Sequence, residues 1–216
     1  MSKLETNTID TVSGTSTLQV GSTNTSTITL GASGDTVDIP SGATFDATGA
    51  TVTGITQGIT QADLWRLNTT FTIPSTNTNT DLTANWERAD DATQSGYIGS
   101  GMSQSSGIFT FPETGIYQIR FNAFFTAASA HYVAVRIFGT PDNSAYDQLA
   151  TAEQGLADTS GGTDYTNLNA ACHFDCTNTS THKVKFTVYT TASSTNVYAE
   201  STSNATYVTF LRLGDT

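Results

Sequence analysis

Positive charge is scarce in this chain. Eight Lys and Arg stand against 19 Asp and Glu, a formal charge of −11, and such a surface repels a polyphosphate backbone instead of neutralising it. Nucleic acid is therefore not expected as a partner. Cysteine is nearly absent too: Cys172 and Cys176 are the only two, too few for a disulfide-stapled scaffold. On one strand their Cα atoms would stand on the order of 13 Å apart, beyond disulfide reach, so reduced and buried thiols are expected. Long apolar runs are missing as well. Nothing approaches the roughly 18 to 20 consecutive apolar residues of a membrane helix, and no membrane insertion is expected. The opening Met1-Ser2-Lys3-Leu4-Glu5-Thr6-Asn7 lacks the apolar region of a secretory signal, which predicts synthesis in a cytoplasm.

What fills the chain instead is uncharged and polar. Only 37% of the 216 residues are hydrophobic and 12% charged, while threonine supplies about one residue in five. Such a composition usually buries too little to fold, yet 11 Phe, 8 Tyr and 2 Trp argue for a packed core. Phe45 is the one aromatic before Trp65, so the core is expected in the later part of the chain.

The earlier part, residues 1–60, repeats a small unit. Leu18/Val20, Ile28/Leu30 and Val37/Ile39 are i, i+2 pairs, followed by Phe45 and Val52; that spacing puts both members of a pair on one face of a strand. Between them lie Gly21-Ser22-Thr23-Asn24, Gly31-Ala32-Ser33-Gly34-Asp35, Ser41-Gly42 and Thr48-Gly49, which read as turns. One such unit buries too little to order itself. Winding several chains together closes the sheet edges and lets the apolar stripes face one another. Residues 1–60 therefore read as a β-repeat shaft and attachment segment that is stable as an oligomer, with a disordered Thr/Gly linker as the alternative.

Residues 61–216 alternate apolar and polar positions over short runs. Leu64-Trp65-Arg66-Leu67 and Thr70-Phe71-Thr72-Ile73 come first, then Gly107–Pro112 and Gly115–Phe125, where Tyr117, Ile119, Phe121 and Ala123 share one face. His131–Gly139, Val184–Tyr189 and Tyr207–Leu213 follow, with turn-rich segments at 140–144 and 158–163 between them. Many short strands with almost no helical periodicity predict an all-β sandwich or jelly roll.

The run Phe109-Thr110-Phe111-Pro112-Glu113-Thr114-Gly115-Ile116-Tyr117-Gln118-Ile119-Arg120-Phe121 resembles the hallmark of the C1q/TNF-like domain: an aromatic strand, a Pro, a Gly-x-Tyr turn and a second aromatic strand. The closing Ala205–Leu213 is similar to that family's last strand. The resemblance covers about residues 62 to 216 and implies a ten-stranded jelly roll that assembles as a compact homotrimer, with Phe109, Phe111, Tyr117, Phe121, Tyr207 and Phe210 as core or trimer residues. Where the family often carries Gly-Asp before the penultimate long strand, this chain has Thr181-His182-Lys183, so the family's loop-borne ion sites are not carried over. A repeat shaft ahead of a trimeric knob also resembles a viral fibre, and Thr8–Leu18 resembles segments of tailed-phage structural proteins of the marine and cyanobacterial type.

Chemistry-bearing motifs are few. No nucleophile elbow, P-loop, His-Glu-x-x-His or dinucleotide fingerprint is present, so no catalytic residue and no cofactor is expected. Cys172-His173-Phe174-Asp175-Cys176 contains metal-ligand types, but on a strand Cys172, Phe174 and Cys176 point one way and His173 and Asp175 the other. A ring of one of the three histidines, His131, His173 or His182, around a threefold axis is the other conceivable arrangement, but nothing in the sequence selects one, so no metal site is expected. Glu87, Asp90 and Asp91 read as a solvated loop more than a calcium loop or a glycosidase pair. Trp86, Tyr97, Tyr146 and Tyr165 are candidate glycan contacts, since such rings stack on sugars and carry a polar handle, with core filling the alternative.

The resulting expectation is a non-enzymatic virion surface protein: a short homotrimeric fibre attached through its N-terminal segment to a capsid or tail protein, its knob facing host-surface carbohydrate. A capsid decoration or cement protein is the alternative, and a polysaccharide-cleaving spike a third.

Overall fold

The computed structural model describes residues 20, 24, 26–50, 58–89, 91, 93–94, 96–127, 132–156 and 162–216. Leu18, Val52, Asp90, His131 and the Thr8–Leu18 segment lie outside them. The chain divides into two units, Met1–Gly54 and Ile55–Thr216.

In the first unit residues 26–50 form no strand. They form three turns where the Gly-containing segments predict them: Asp35 N–H donates to the Ala32 carbonyl, Ala43 to Pro40 and Ala50 to Ala47, each at 3.0 Å. Gly34, Gly42 and Gly49 take the third position with φ of +95°, +86° and +79°, a conformation such turns require and glycine adopts without steric cost. The strands expected at Ile28/Leu30 and Val37/Ile39 are absent from the single chain. A strand needs a hydrogen-bonded neighbour, and here the apolar side chains from Ile28 to Phe45 are 47% to 67% exposed.

The second unit is a two-layer sandwich of fourteen strands among the described residues: β1 (Ala62–Leu67), β2 (Thr69–Thr72), β3 (Thr80–Asp81), β4 (Trp86–Arg88), β5 (Tyr97–Ile98), β6 (Ser103–Ser105), β7 (Ile108–Thr110), β8 (Gly115–Ala127), β9 (Tyr132–Thr140), β10 (Asp147–Gly155), β11 (Asp164–Cys176), β12 (Lys183–Thr190), β13 (Asn196–Glu200) and β14 (Tyr207–Gly214). All their pairings are antiparallel. The first sheet runs β2-β13-β8-β14-β1-β4, with β11 on the other edge of β8 and β5 beside β1; the second runs β10-β9-β12-β7-β6, with β3 also on β12. Alternation decides which residues enter the core. On β8, Tyr117, Ile119, Phe121, Ala123 and Phe125 are all buried, and across the sandwich Val133, Val135 and Ile137 of β9 and Val184, Phe186 and Val188 of β12 close over them. Phe109 sits among aromatic edges, with ring centroids 5.7 Å from Trp65 and 5.4 Å from both Trp86 and Phe186, an arrangement the ring quadrupoles favour.

The Phe-Pro-x-x-Gly-x-Tyr element has a local physical reason. Tyr117 is 1% exposed, and its hydroxyl donates to the Glu113 carbonyl at 3.0 Å, so the ring fills the core while its polar tip ties down the turn. Burial pushes this phenol up to about 12. Gly115 has φ of +145°, and a Cβ there would meet the Arg212 guanidinium at 2.5 Å and the Gly214 carbonyl at 2.6 Å.

Two charged residues of β1 are buried. Asp63, 4% exposed, accepts two hydrogen bonds from Arg88, each at 3.0 Å, one from the Trp65 indole at 2.9 Å and one from the Met102 amide at 2.5 Å. Arg66 is fully buried between Glu87 at 2.8 Å and Asp91 at 2.7 Å; the hydrogen bond to Asp91 raises its affinity for the proton against the cost of desolvation. This corrects the reading of Glu87 and Asp91 as a solvated loop. The segment after β4 folds back, with Ala89 N–H on the Leu64 carbonyl and Leu64 N–H on Gly96, and so brings Asp91 over Arg66.

Cys176 is buried and Cys172 half-buried, both unpaired thiols. Burial pushes the Cys172 thiol up to about 11 and raises Cys176 as well.

Two outcomes follow for the sandwich. Gly115→Ala lowers the stability of the folded chain by about 2 kcal/mol or more, read as a shift of the urea midpoint at unchanged slope; an unshifted midpoint would show that the turn relaxes freely. Stability also falls as pH rises. Above pH 9 an unfolded thiol ionises while Cys172 holds its proton to about 11, and Tyr117 extends the loss from 10 to about 12, because the folded state then binds more protons than the unfolded one. Urea titrations at pH 8 and 10.5 measure it, and equal stabilities would contradict the burial of these groups.

Candidate functional site

The sandwich has two outer faces, and the one on the β8 sheet carries an apolar surface that the protomer leaves open. Strand alternation puts Phe124 there, opposite Tyr198 of β13 and diagonal to Tyr165 of β11. Phe124 stacks on Tyr165 with centroids 6.0 Å apart and planes at 17°, and meets the edge of Tyr198 at 5.6 Å. Tyr165 remains 65% exposed. Three neighbouring strands thus present one aromatic ladder to solvent, each ring supported by a cross-strand partner.

The same face continues towards β1. Tyr207 of β14 pairs with Asn122, Thr209 with Arg120 and Leu211 with Gln118. A groove of about 330 Å³ runs between this surface and β5, bounded by Leu64, Tyr97, Ile98, Arg120 and Leu211. Ile98 and Leu213 are exposed. Arg120 is exposed in the middle of this face and forms no ion pair among the described residues, whereas Arg66, Arg88, Arg136, Lys185 and Arg212 all do. At the margin, β11 pairs among the described residues along one edge, with β8. Thirteen residues of backbone donors and acceptors at a sheet edge are a template for another chain unless something covers them.

The sequence-predicted residues separate into three places. Phe109, Phe111, Tyr117, Phe121 and Phe210 are buried in the core, while Tyr207 is half-buried on the outer face. Of the candidate glycan contacts, Trp86 is closed inside the sandwich at 7% exposure, its indole N–H donating to the Leu82 carbonyl at 2.7 Å, and offers no ring to a sugar. Tyr97 lies under the Arg88 guanidinium, 4.5 Å from its centroid, and Tyr165 belongs to the aromatic ladder. Tyr146 lies elsewhere, on the outside of the β9/β12 sheet. Cys172, Phe174 and Cys176 turn inward while His173 and Asp175 are exposed, as the strand reading has it. No group of three or more potential metal ligands converges among the described residues.

Phe124 and Tyr198 are the residues that sequence reading passed over. Assigning Tyr117, Ile119, Phe121 and Ala123 to the core already sends Phe124 to the other side. A large aromatic at an outward strand position is the signal.

No family model matches this sequence, and no curated protein does. Solved structures match in fold. Eiger TNF from S. frugiperda superposes with a TM-score of 0.53 at 15% identity, over 72% of this chain and 93% of that one. Murine APRIL at pH 8.5 gives 0.51 at 12% identity, over 71% of this chain and 98% of that one, and murine APRIL at pH 5.0 gives 0.52 at 11% identity over the same shares. At such identities the likeness is one of fold: residues of the second unit form an all-β, TNF-like jelly roll.

Proposed function

We propose that the protein is a non-enzymatic homotrimer displayed on a virus particle: a short fibre whose residues 61–216 form the outward knob and whose residues 1–60 attach it to a capsid or tail protein. The observation that carries this reading is the aromatic ladder of Phe124, Tyr165 and Tyr198 on an outer sheet face. Buried between copies, these rings gain the transfer free energy that each forgoes in a lone protomer. The exposed Ile28, Leu30, Val37, Ile39 and Phe45 of the first unit make the same demand. A closed arrangement of three such faces about one axis satisfies them without leaving an open surface for further growth, and Arg120 then faces acidic groups of a neighbouring copy. The acidic surface keeps such an assembly soluble.

Light scattering on the full chain tests the assembly. A mass near three times 22.8 kDa is expected; a mass near 22.8 kDa at micromolar concentration overturns it. Phe124→Asp yields a folded monomer with an unchanged far-ultraviolet spectrum, since the side chain points away from the core. Antibodies against residues 61–216 then test the setting. They decorate intact particles at the tail or at sparse protrusions; labelling spread evenly over the shell would favour a capsid cement, and unlabelled particles would remove the virion setting altogether.

A further inference from the structure

The groove beside β5 is a trough across four strands, and their register defines it. Gln118 of β8, Leu211 of β14, Ala62 of β1 and Ile98 of β5 are successive partners in one row. Arg120, Thr209 and Leu64 form the next row. Three strand spacings put β5 roughly 14 Å from β8. Between them the floor is mainly aliphatic, and the trough holds about 330 Å³, at the lower end of small-molecule sites.

The wall at the β5 end is fixed before any ligand arrives. Leu64 N–H donates to the Gly96 carbonyl at 2.9 Å, and the Ser100 and Gly101 amides donate to Gln61 Oε1 at 3.0 and 3.3 Å. Gly99 has φ of +76°, and a Cβ there would meet the Thr60 carbonyl at 2.4 Å, so the loop is closed tightly against the end of the sheet. On this clamped segment two large side chains are nevertheless held out to solvent, Tyr97 at 46% and Ile98 at 50% exposure. The opposite wall carries charge: Arg120 is exposed, without an ion pair among the described residues, and Gln118 beside it adds an amide donor. Asp63, the acid beneath the floor, is already held by Arg88 at 3.0 Å.

We infer that this groove binds an amphipathic monocarboxylate of medium chain length. The carboxylate sits on the Arg120 guanidinium, whose planar fork matches it in geometry, and the apolar tail lies over Leu211, Ala62 and Leu64 towards Ile98. A carboxylate without a tail reaches the cation but leaves the aliphatic floor wet. An alkyl cation covers the floor but meets Arg120 with like charge. Most of this acidic chain repels an anion, so the local cation sets where one binds. The inference goes beyond the displayed-knob reading and does not rest on it. The groove belongs to one protomer and lies four to six residues back along β8 from Phe124, on the order of 13 to 20 Å away. The five donors of Arg120 serve a ligand and an acidic group of a neighbouring copy together.

Saturation-transfer NMR on the full chain tests the site, with octanoate as probe and acetate and octyltrimethylammonium as comparators, in the native protein and in Phe124→Asp. Octanoate is expected to bind both proteins with similar affinity in the millimolar range, and both comparators at least tenfold more weakly. Arg120→Gln weakens octanoate binding about tenfold, the worth of a charge-assisted pair. Ile98→Ser weakens it about fivefold through the apolar area lost. Both side chains are exposed, so the thermal midpoint stays unchanged. No octanoate binding, equal binding of the alkyl cation, or unchanged affinity in either variant overturns the site. Binding confined to the Phe124→Asp protein overturns it too, because a neighbouring copy then fills the groove. The mass of the native protein tests the trimer separately, whichever way the ligand result falls.

Discussion

Strand β8 bears the sandwich, because it is hydrogen-bonded along one edge to β11 over all thirteen residues and along the other to β14 and then β13. With both edges engaged, its side chains have only two directions to take, and the strict period of two sorts them. One set, from Tyr117 to Ala127, supplies the centre of the core. The other set, with Arg120, Asn122 and Phe124, is committed to the outer face. A slip of one residue would exchange the two sets, so the strand that stabilises the protomer also fixes which residues its outer face carries.

Scarce cations are used with the same economy. Arg66 is buried under the segment that follows β4, Arg88 clamps Asp63 inside the mouth of the sandwich, and Lys185 bridges Asp81 and two aromatic rings. Arg120 stands apart as an exposed cation without an ion pair among the described residues, on the face whose rings also lack cover. In a chain of net charge −11, an exposed cation amid exposed aromatics is complementary in charge to the acidic copies that the proposed trimer would bring against it.

Much of this was legible in the sequence, for reasons that differ by element. The long strands with strong alternation, β8, β9, β12 and β14, follow from their apolar period, and the Phe-Pro-x-x-Gly-x-Tyr turn carries its own explanation in Gly115 and Tyr117. Strand β10, Asp147–Gly155, was not legible: it lies at a sheet edge with nearly every side chain exposed, so no apolar stripe marks it. Strand β11 hides its stripe in small residues such as Ala170 and Cys172. The pairing of Arg66 with Glu87 and Asp91, 21 and 25 residues away, depends on the register of β1 against β4 and on the segment that folds back after it, which local pattern does not encode. Trp86 shows the complementary error, for an aromatic in a polar stretch reads equally well as surface or core until its partner Phe109 is in place.

The proposed assembly requires that the outer face of the β8 sheet be covered by other copies of the chain. Tyrosine nitration of the native full-length protein, with the modified sites read by mass spectrometry, measures this most directly. Tyr165, 65% exposed in a lone protomer, is predicted to be protected in the native protein and to become reactive in the Phe124→Asp variant. Rapid nitration of Tyr165 in the native protein, equal to that in the variant, would contradict the account.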